Sequence, residues 1–356
     1  MYVFASFTAI GLLMSLSLRR GGDFGSLIAS GLAARQGLDP YAIHPLVGRA
    51  VLGSDALAFV NLNAPLSVLL FAAVSLIPAS DAYDAWLVLS ALLYLAVLVV
   101  LTGANRTTMG TPKLAWALSL PGLWVTLEQG QIYVVLLFVA VGAWLSLDRG
   151  HLVRAGLLMG LLVAIKPQFA VWPGLLLLAG HTSVAAAAAG SASALAILPA
   201  VVFGPGIYAQ WLVAVGSIRW LGALSNGSLP DFGARLGLPW LGYGLSAALL
   251  AGIAVRVWRT RPSAPTASAL ALTTFLLAAP LAGPGYMLVL LPALCSRPWT
   301  GLLGVGATLL AVPVYALPIL TRLSAWQFAA GGSVYTLALL LLLAALLHSM
   351  QAHHNV

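Results

Sequence analysis

A chain of 356 residues that is 61% hydrophobic and only 7% charged stands far from soluble domains, where about a quarter of residues carry charge. With a mean hydropathy of +1.02 and apolar runs to its end, it reads as an all-α, polytopic membrane protein with no room for a soluble nucleotide-binding domain. The single cysteine, Cys295, excludes an intramolecular disulfide, and neither Cys-x-x-Cys nor His-x-x-x-His spacing offers a zinc site. The net charge of +8 lies mostly in short loops between apolar runs, which suits membrane lipid headgroups and the positive-inside rule; no nucleic-acid partner is implied.

The first apolar run, 2–18, lacks a basic start and an A-x-A cleavage site and is expected to be retained as a span. Arg19-Arg20-Gly21-Gly22-Asp23-Phe24 follows, placing two guanidiniums and a carboxylate at the bilayer edge on glycines that permit a sharp turn. Solvated charges at a helix exit would give the same letters. The stretch from Phe24 to Leu38 is amphipathic, with Leu27, Ile28, Leu32 and Leu38 expected towards lipid and Ser30, Arg35 and Gln36 away from it. Gly37-Leu38-Asp39-Pro40-Tyr41 then makes a turn, so an interfacial helix is predicted.

Further on, about a dozen more apolar segments lie near 64–79, 82–103, 114–127, 131–147, 154–166, 169–180, 183–203, 240–258, 267–281, 285–296, 301–319 and 332–348, several shorter than the roughly 20 residues of a full span. The arginine-rich loops 148–154 and 256–261 read as cytoplasmic, which puts loops 19–63 and 204–239 on the outer face. Parity then makes 114–127 a half-helix or re-entrant piece and leaves about twelve spans. Residues 1–356 form one membrane domain, roofed by the two long outer loops. The alanine run 185–189 suits close helix packing.

Only eight acidic residues are present, so the search for a general base is short. Asp148 lies beside Arg149 in a cytoplasmic loop, Asp81 and Asp84 sit at an interhelical turn, and Asp39 precedes Pro40 in a turn. Asp23, Asp55, Glu128 and Asp231 remain on the outward face. Asp23 is the best placed, directly after a span. Glu128, within Glu128-Gln129-Gly130-Gln131, also reads as an N-terminal helix cap. Lys166, in Ala164-Ile165-Lys166-Pro167-Gln168, is a lysine before a helix-breaking proline between apolar stretches; it either snorkels or holds a phosphate. Arg235 and Arg219 are further cationic candidates, or ordinary surface charges. Asn226-Gly227-Ser228 also fits a glycosylation sequon.

These features in this order resemble the GT-C superfamily of membrane glycosyltransferases, and within it glycosyltransferase family 87, the polyprenol-phosphate-mannose-dependent α-mannosyltransferases. Asp23 and Gly37-Leu38-Asp39-Pro40-Tyr41 are similar to the family's first outer loop, with its catalytic aspartate and G-x-x-P-Y turn. Asn63-Ala64-Pro65-Leu66 stands where a Tyr-Pro-Pro motif is expected, without the tyrosine. Gly130-Gln131 matches a Gly-Gln-x-Asn motif whose last residue is Tyr133 here, and Lys166-Pro167 matches a Lys-Pro motif. Asn226-Gly227-Ser228-Leu229 followed by Arg235 is similar to Asn-Gln-Ser-Leu followed by arginine. Pro280-Leu281-Ala282-Gly283-Pro284-Gly285-Tyr286 departs from the family's Pro, Ser, Trp and histidine.

The resemblance implies transfer of a hexose, mannose by analogy, from a polyprenyl-phosphate donor to a hydroxyl of a lipid-linked or other glycan acceptor. The reaction would take place on the outer (periplasmic) face of the inner membrane. Asp23 would act as general base in an inverting displacement. Lys166, with Arg235 or Arg20, would neutralise the leaving phosphate, and Gln131, Glu128, Asn226, Gln168 and Tyr41 would contact sugar or acceptor. No cofactor is implied, and no metal-binding Asp-x-Asp occurs. A transporter or flippase of a lipid or sugar is the alternative; it would call for internal repeats and intramembrane polar residues, of which Lys166 is the main example.

Overall fold

The structure is a computed structural model and describes residues 1–17, 21–42, 60–217, 225–317 and 329–352. Among them every regular element is helical, as expected where each backbone N–H and C=O must be satisfied within its own segment. Helix α1 (Tyr2–Ser17) is followed by α2 (Gly22–Arg35), α3 (Leu66–Val74), α4 (Ala79–Ala104), α5 (Thr111–Ser119) and α6 (Pro121–Gln129). Next come α7 (Tyr133–Asp148) and α8 (Leu152–Ile165), then a 3-10 turn, Pro167–Ala170, that leads into α9 (Val171–Leu178). The chain continues through α10 (Thr182–Phe203), α11 (Gly206–Ser217), α12 (Leu229–Arg235), α13 (Pro239–Thr260) and α14 (Ala264–Ala278). A broken segment made of α15 (Pro284–Met287) and α16 (Leu291–Cys295) precedes α17 (Gly301–Leu310) and α18 (Val334–Ala352).

Four helices, α4, α10, α13 and α18, are long and apolar enough to cross a membrane, which makes this a multi-pass membrane protein. The other apolar helical segments among the described residues run 10–17 residues or fewer. Among the described residues helix length thus accounts for four of the about twelve spans that segmentation of the sequence expected. The piece 114–127, expected as one half-helix, is two short helices. Leu120 is extended (φ −59°, ψ 123°) before Pro121, because the residue preceding a proline is pushed out of the α region.

Helix α14 is the axis of the core: Leu270, Leu272, Leu276 and Leu277 are fully buried, and so are the polar Ser268 and Thr274. Helices α8 and α10 pack backbone to backbone. A Cβ at Gly156 would lie 2.4 Å from the Val184 carbonyl oxygen, and one at Gly160 would lie 2.5 Å from that of Ala188. The alanine run on α10 thus receives the Gly-x-x-x-Gly face of α8, the close approach that small residues permit in lipid. Lys113, at the start of α5, is buried and gives its ammonium hydrogens to the carbonyls of Leu294 (3.3 Å) and Arg297 (2.5 Å). Leu294 lies in the last turn of α16 and Arg297 just beyond its end, so the lysine serves carbonyls at the helix terminus, that of Leu294 together with Trp299 Nε1.

Helix α2 corrects one expectation. Leu27 and Ile28, assigned to lipid, are each 2% exposed within the protein core, and Ser30, assigned away from lipid, is buried with its hydroxyl on Pro40 O at 2.7 Å. Leu38 alone of the assigned lipid face is well exposed, at 54%. Gly31 explains the difference: its Cα lies so near α3 that a Cβ would stand 2.3 Å from the Phe71 carbonyl. The helix is a packed layer of the protein, and amphipathic spacing alone does not distinguish a lipid contact from a helix contact.

Candidate active site

Three backbone hydrogen bonds draw distant segments together. Gly21, in the left-handed region (φ 52°), donates its N–H to Glu128 O at 3.0 Å, fixing the start of α2 against the end of α6. Ala64 N–H reaches Ile165 O at 3.0 Å, and Gly227 N–H reaches Ala282 O at 3.0 Å. The end of α6 is closed by Gly130 (φ 65°), a position where a side chain would be strained and its Cβ would meet Phe24 Cβ at 2.6 Å. Helix α8 stops at Lys166, which is extended (φ −136°, ψ 92°) because Pro167 follows.

Between these segments lies a cavity of about 350 Å³ whose wall includes Asp23, Asn63, Gln129, Gln131, Tyr133, Lys166, Asn226 and Tyr286. Asp23, in the first turn of α2, accepts a hydrogen bond from Gln131 Nε2 at 2.5 Å. Burial pushes its carboxyl above the usual carboxylate range, while the Gln131 bond and the positive charge of Lys166 oppose that rise. Lys166 is buried and donates to Tyr286 OH at 2.7 Å and Tyr133 OH at 3.4 Å. Its ammonium stands 4.8 Å from the Tyr286 ring centre and 5.1 Å from that of Tyr133, within cation–π range. Gln168 Nε2 also donates to Tyr286 OH, at 2.9 Å. Asn63 Oδ1 and Gln129 Oε1 are buried acceptors with no partner among the described residues. An acid, a cation and several side-chain amides therefore share one cavity wall. Among the described residues no three of His, Cys, Asp and Glu gather as a metal site.

The profile of glycosyltransferase family 87 matches residues 61–284, well over half of the chain. The chain belongs to glycosyltransferase family 87. As a member of this family, with helices long and apolar enough to cross a membrane, it is a membrane glycosyltransferase. ArnT from Cupriavidus metallidurans, in a crystal structure bound to undecaprenyl phosphate, is similar at 14% identity and a TM-score of 0.41, over 98% of this chain and 77% of that one. A likeness at that level gives no residue correspondence. No curated protein matches the sequence.

Within this family 87 chain, several residues expected at the site serve the scaffold instead. Arg235 is not on the cavity wall: its guanidinium pairs with Asp231 and also donates to Asn226 O, Ser333 Oγ and Thr336 Oγ1, each at 3.1 Å. That buried ion pair takes the hydrogen bonds a phosphate would need. Asn226 lines the cavity, but its amide bridges two loops, donating to Pro280 O and accepting from the N–H groups of Ser228 and Ala282. At 1% exposure it is also closed to glycosylation. Glu128 lies in the last turn of α6, not at a helix start; its carboxylate receives the Tyr315 hydroxyl and is buried behind the wall. Tyr41 binds Asn63 O at 2.9 Å and Gln168 supports Tyr286, both from behind the lining. Arg20, Asp55 and Arg219 lie outside the described residues.

Four lining residues were not singled out from sequence. Gln129, Asn63, Tyr133 and Tyr286 sit in or beside the quoted motifs; Asn63 and Tyr133 occupy positions where the family's letter is different, and Tyr286 lies in the stretch that departs most. The profile match begins at Asn61 and ends at Pro284, so Asp23 and Tyr286 fall on either side of it. A departure from a motif that still lines the cavity was the available signal.

Proposed function

We propose that this chain transfers a hexose, in the first instance mannose, from a polyprenyl-phosphate donor to a hydroxyl of a glycan or glycolipid acceptor. The reaction takes place on the outer, periplasmic face of the inner membrane. The observation that carries this reading is the convergence of Asp23 and Lys166 on one cavity. A general base and a cation on a shared wall are what an acceptor hydroxyl and a leaving phosphate require. A transporter or flippase needs no base there.

In this mechanism Asp23 takes the proton of the acceptor hydroxyl as its oxygen attacks the anomeric carbon. The bond from that carbon to the phosphate oxygen breaks on the far side, and its electron pair leaves with the phosphate, giving inversion. Gln131 orients Asp23, and Lys166 faces the phosphate. The amides of Asn63 and Gln129, which line the cavity together with Gln131 and Asn226, add polar groups suited to sugar hydroxyls. No metal takes part in this scheme. A lipid-linked donor fits a chain of this composition, because a prenyl tail contributes about 0.8 kcal/mol per buried CH₂ and leaves the protein to hold only the head.

The test uses purified protein in nanodiscs with a panel of polyprenyl-phosphate hexoses, membrane-extract acceptors and excess EDTA. Transfer from a lipid-phosphate hexose is expected, and Lys166→Ala should weaken donor binding more than acceptor binding. Transfer from GDP-mannose in prenol-free detergent, or strict dependence on added divalent metal, overturns the proposal.

A further inference from the structure

The corner of the cavity around Lys166 holds more hydrogen-bond donors than acceptors. An ammonium carries three N–H groups and accepts nothing. One points to Tyr286 OH at 2.7 Å and another reaches Tyr133 OH at 3.4 Å. The Tyr286 oxygen also accepts from Gln168 Nε2 at 2.9 Å, so both its lone pairs are engaged and it is left to act as a donor. The two rings lie against each other, centroids 4.4 Å apart, with their hydroxyls in contact. Tyr286 can therefore pass its hydrogen to Tyr133. The Tyr133 phenol hydrogen and one ammonium hydrogen are then left without an acceptor among the described residues.

A donor-rich, acceptor-poor corner inside a cavity is complementary to an anion. The charge available is small, because Arg235 is held by Asp231 and Lys166 is the one cationic side chain on the wall among the described residues. A phosphate gains negative charge as it leaves a sugar. We infer that the Tyr133–Tyr286 pair completes the phosphate site: one phosphate oxygen rests on Lys166 Nζ and another accepts a phenol hydrogen, where a second cation would otherwise be needed. The phenol hydrogen stays on its oxygen throughout, so the pair binds the leaving group without exchanging a proton. This inference rests on the reading that the donor is a lipid phosphate.

The test compares the wild type with Tyr133→Phe, Tyr286→Phe and the double variant in nanodiscs, with binding of polyprenyl phosphate and of polyprenol as separate readouts. Phenylalanine keeps the contact between the rings, and thermal melting checks each fold. The double variant is expected to lose about 10- to 100-fold in affinity for polyprenyl phosphate, the range for a hydrogen bond to a charged group, with polyprenol binding unchanged. Each single variant should lose less, because the remaining phenol still donates. A double variant that keeps wild-type affinity for polyprenyl phosphate overturns the inference, and so does one that loses both lipids equally. Should the double variant not fold, a loss of polyprenyl phosphate affinity in either single variant supports the inference and full retention in both overturns it. A wild type that holds polyprenyl phosphate no better than polyprenol overturns the lipid-phosphate reading itself, which keeps the two failures apart.

Discussion

Replacing Gln131 with methionine removes the one hydrogen bond that the Asp23 carboxylate receives among the described residues, at 2.5 Å, while keeping nearly the same side-chain length. A hydrogen bond to an ionised group contributes about 1.5–3 kcal/mol and one to a neutral group about 0.5–1.5, so the preference for the ionised form is about 1–1.5 kcal/mol. That difference corresponds to about one pKa unit. The Asp23 carboxyl already lies above its ordinary value because of burial, and losing Gln131 removes one of the two influences that hold it down. A general base works only when deprotonated, so activity falls as pH drops through its pKa. In Gln131→Met the acid limb of the kcat/KM profile should therefore move up by about one pH unit, with about tenfold less activity on that limb. The plateau at higher pH should lose only what misorientation costs. Initial rates with a lipid-linked hexose across the pH range measure this directly. An acid limb that stays in place, or moves to lower pH, in a folded variant refutes either the contact or the role of Asp23.

Asp23→Asn should reduce transfer by about 10²- to 10⁴-fold, the usual contribution of a general base. Because the folded-state pKa is raised, stability owed to the protonated acid is present at low pH and lost as pH rises through that pKa. The variant should thus melt no lower than wild type at pH 8, and a lower Tm there would contradict the burial argument. Arg235→Met leaves the buried Asp231 without its guanidinium and should cost about 3–5 kcal/mol in chemical denaturation. Intact stability with collapsed affinity for lipid phosphate would return Arg235 to the phosphate site. Gly160→Leu forces a side chain into the Ala188 carbonyl and Ser191 Cβ, 2.5 and 2.6 Å from the glycine's would-be Cβ. Overpacking of this kind costs about 1–3 kcal/mol, and a variant with an unchanged melting curve would argue against the α8–α10 contact.

The class of protein was legible from hydropathy alone, and the long helices α10, α13 and α18 fall within a few residues of the apolar runs that predicted them. Asp23 and Lys166 stood out because a charge beside a membrane-length apolar run is expensive to place without a purpose. Partners were not legible. Whether Arg235 faces a ligand or Asp231 depends on the turn of α12, in which the two lie four residues apart on one face. Asn226 has the letters of a sugar ligand, yet its amide is engaged by loop 280–282, more than fifty positions along the chain. Glu128 could not be placed because the helix before it runs past the expected end of segment 114–127 and closes on Gly130, turning an expected helix start into a helix end. Leu27 and Ile28 show the same limit, since an apolar stripe records that something covers it and not whether lipid or protein does so.

The rim of the cavity is sewn with main-chain thread. Gly21 to Glu128, Ala64 to Ile165 and Gly227 to Ala282 are each joined N–H to C=O, and a peptide group is the same whatever residue bears it. Substitution at Glu128, Ile165 or Ala282 therefore changes the side chain packed behind the rim without unpicking the seam, whereas proline at Ala64 would remove the donor outright. A scaffold of this kind tolerates new lettering beside its chemistry, which is how a tyrosine at 133 and an asparagine at 63 can stand in motifs written for other residues while the walls remain where they were.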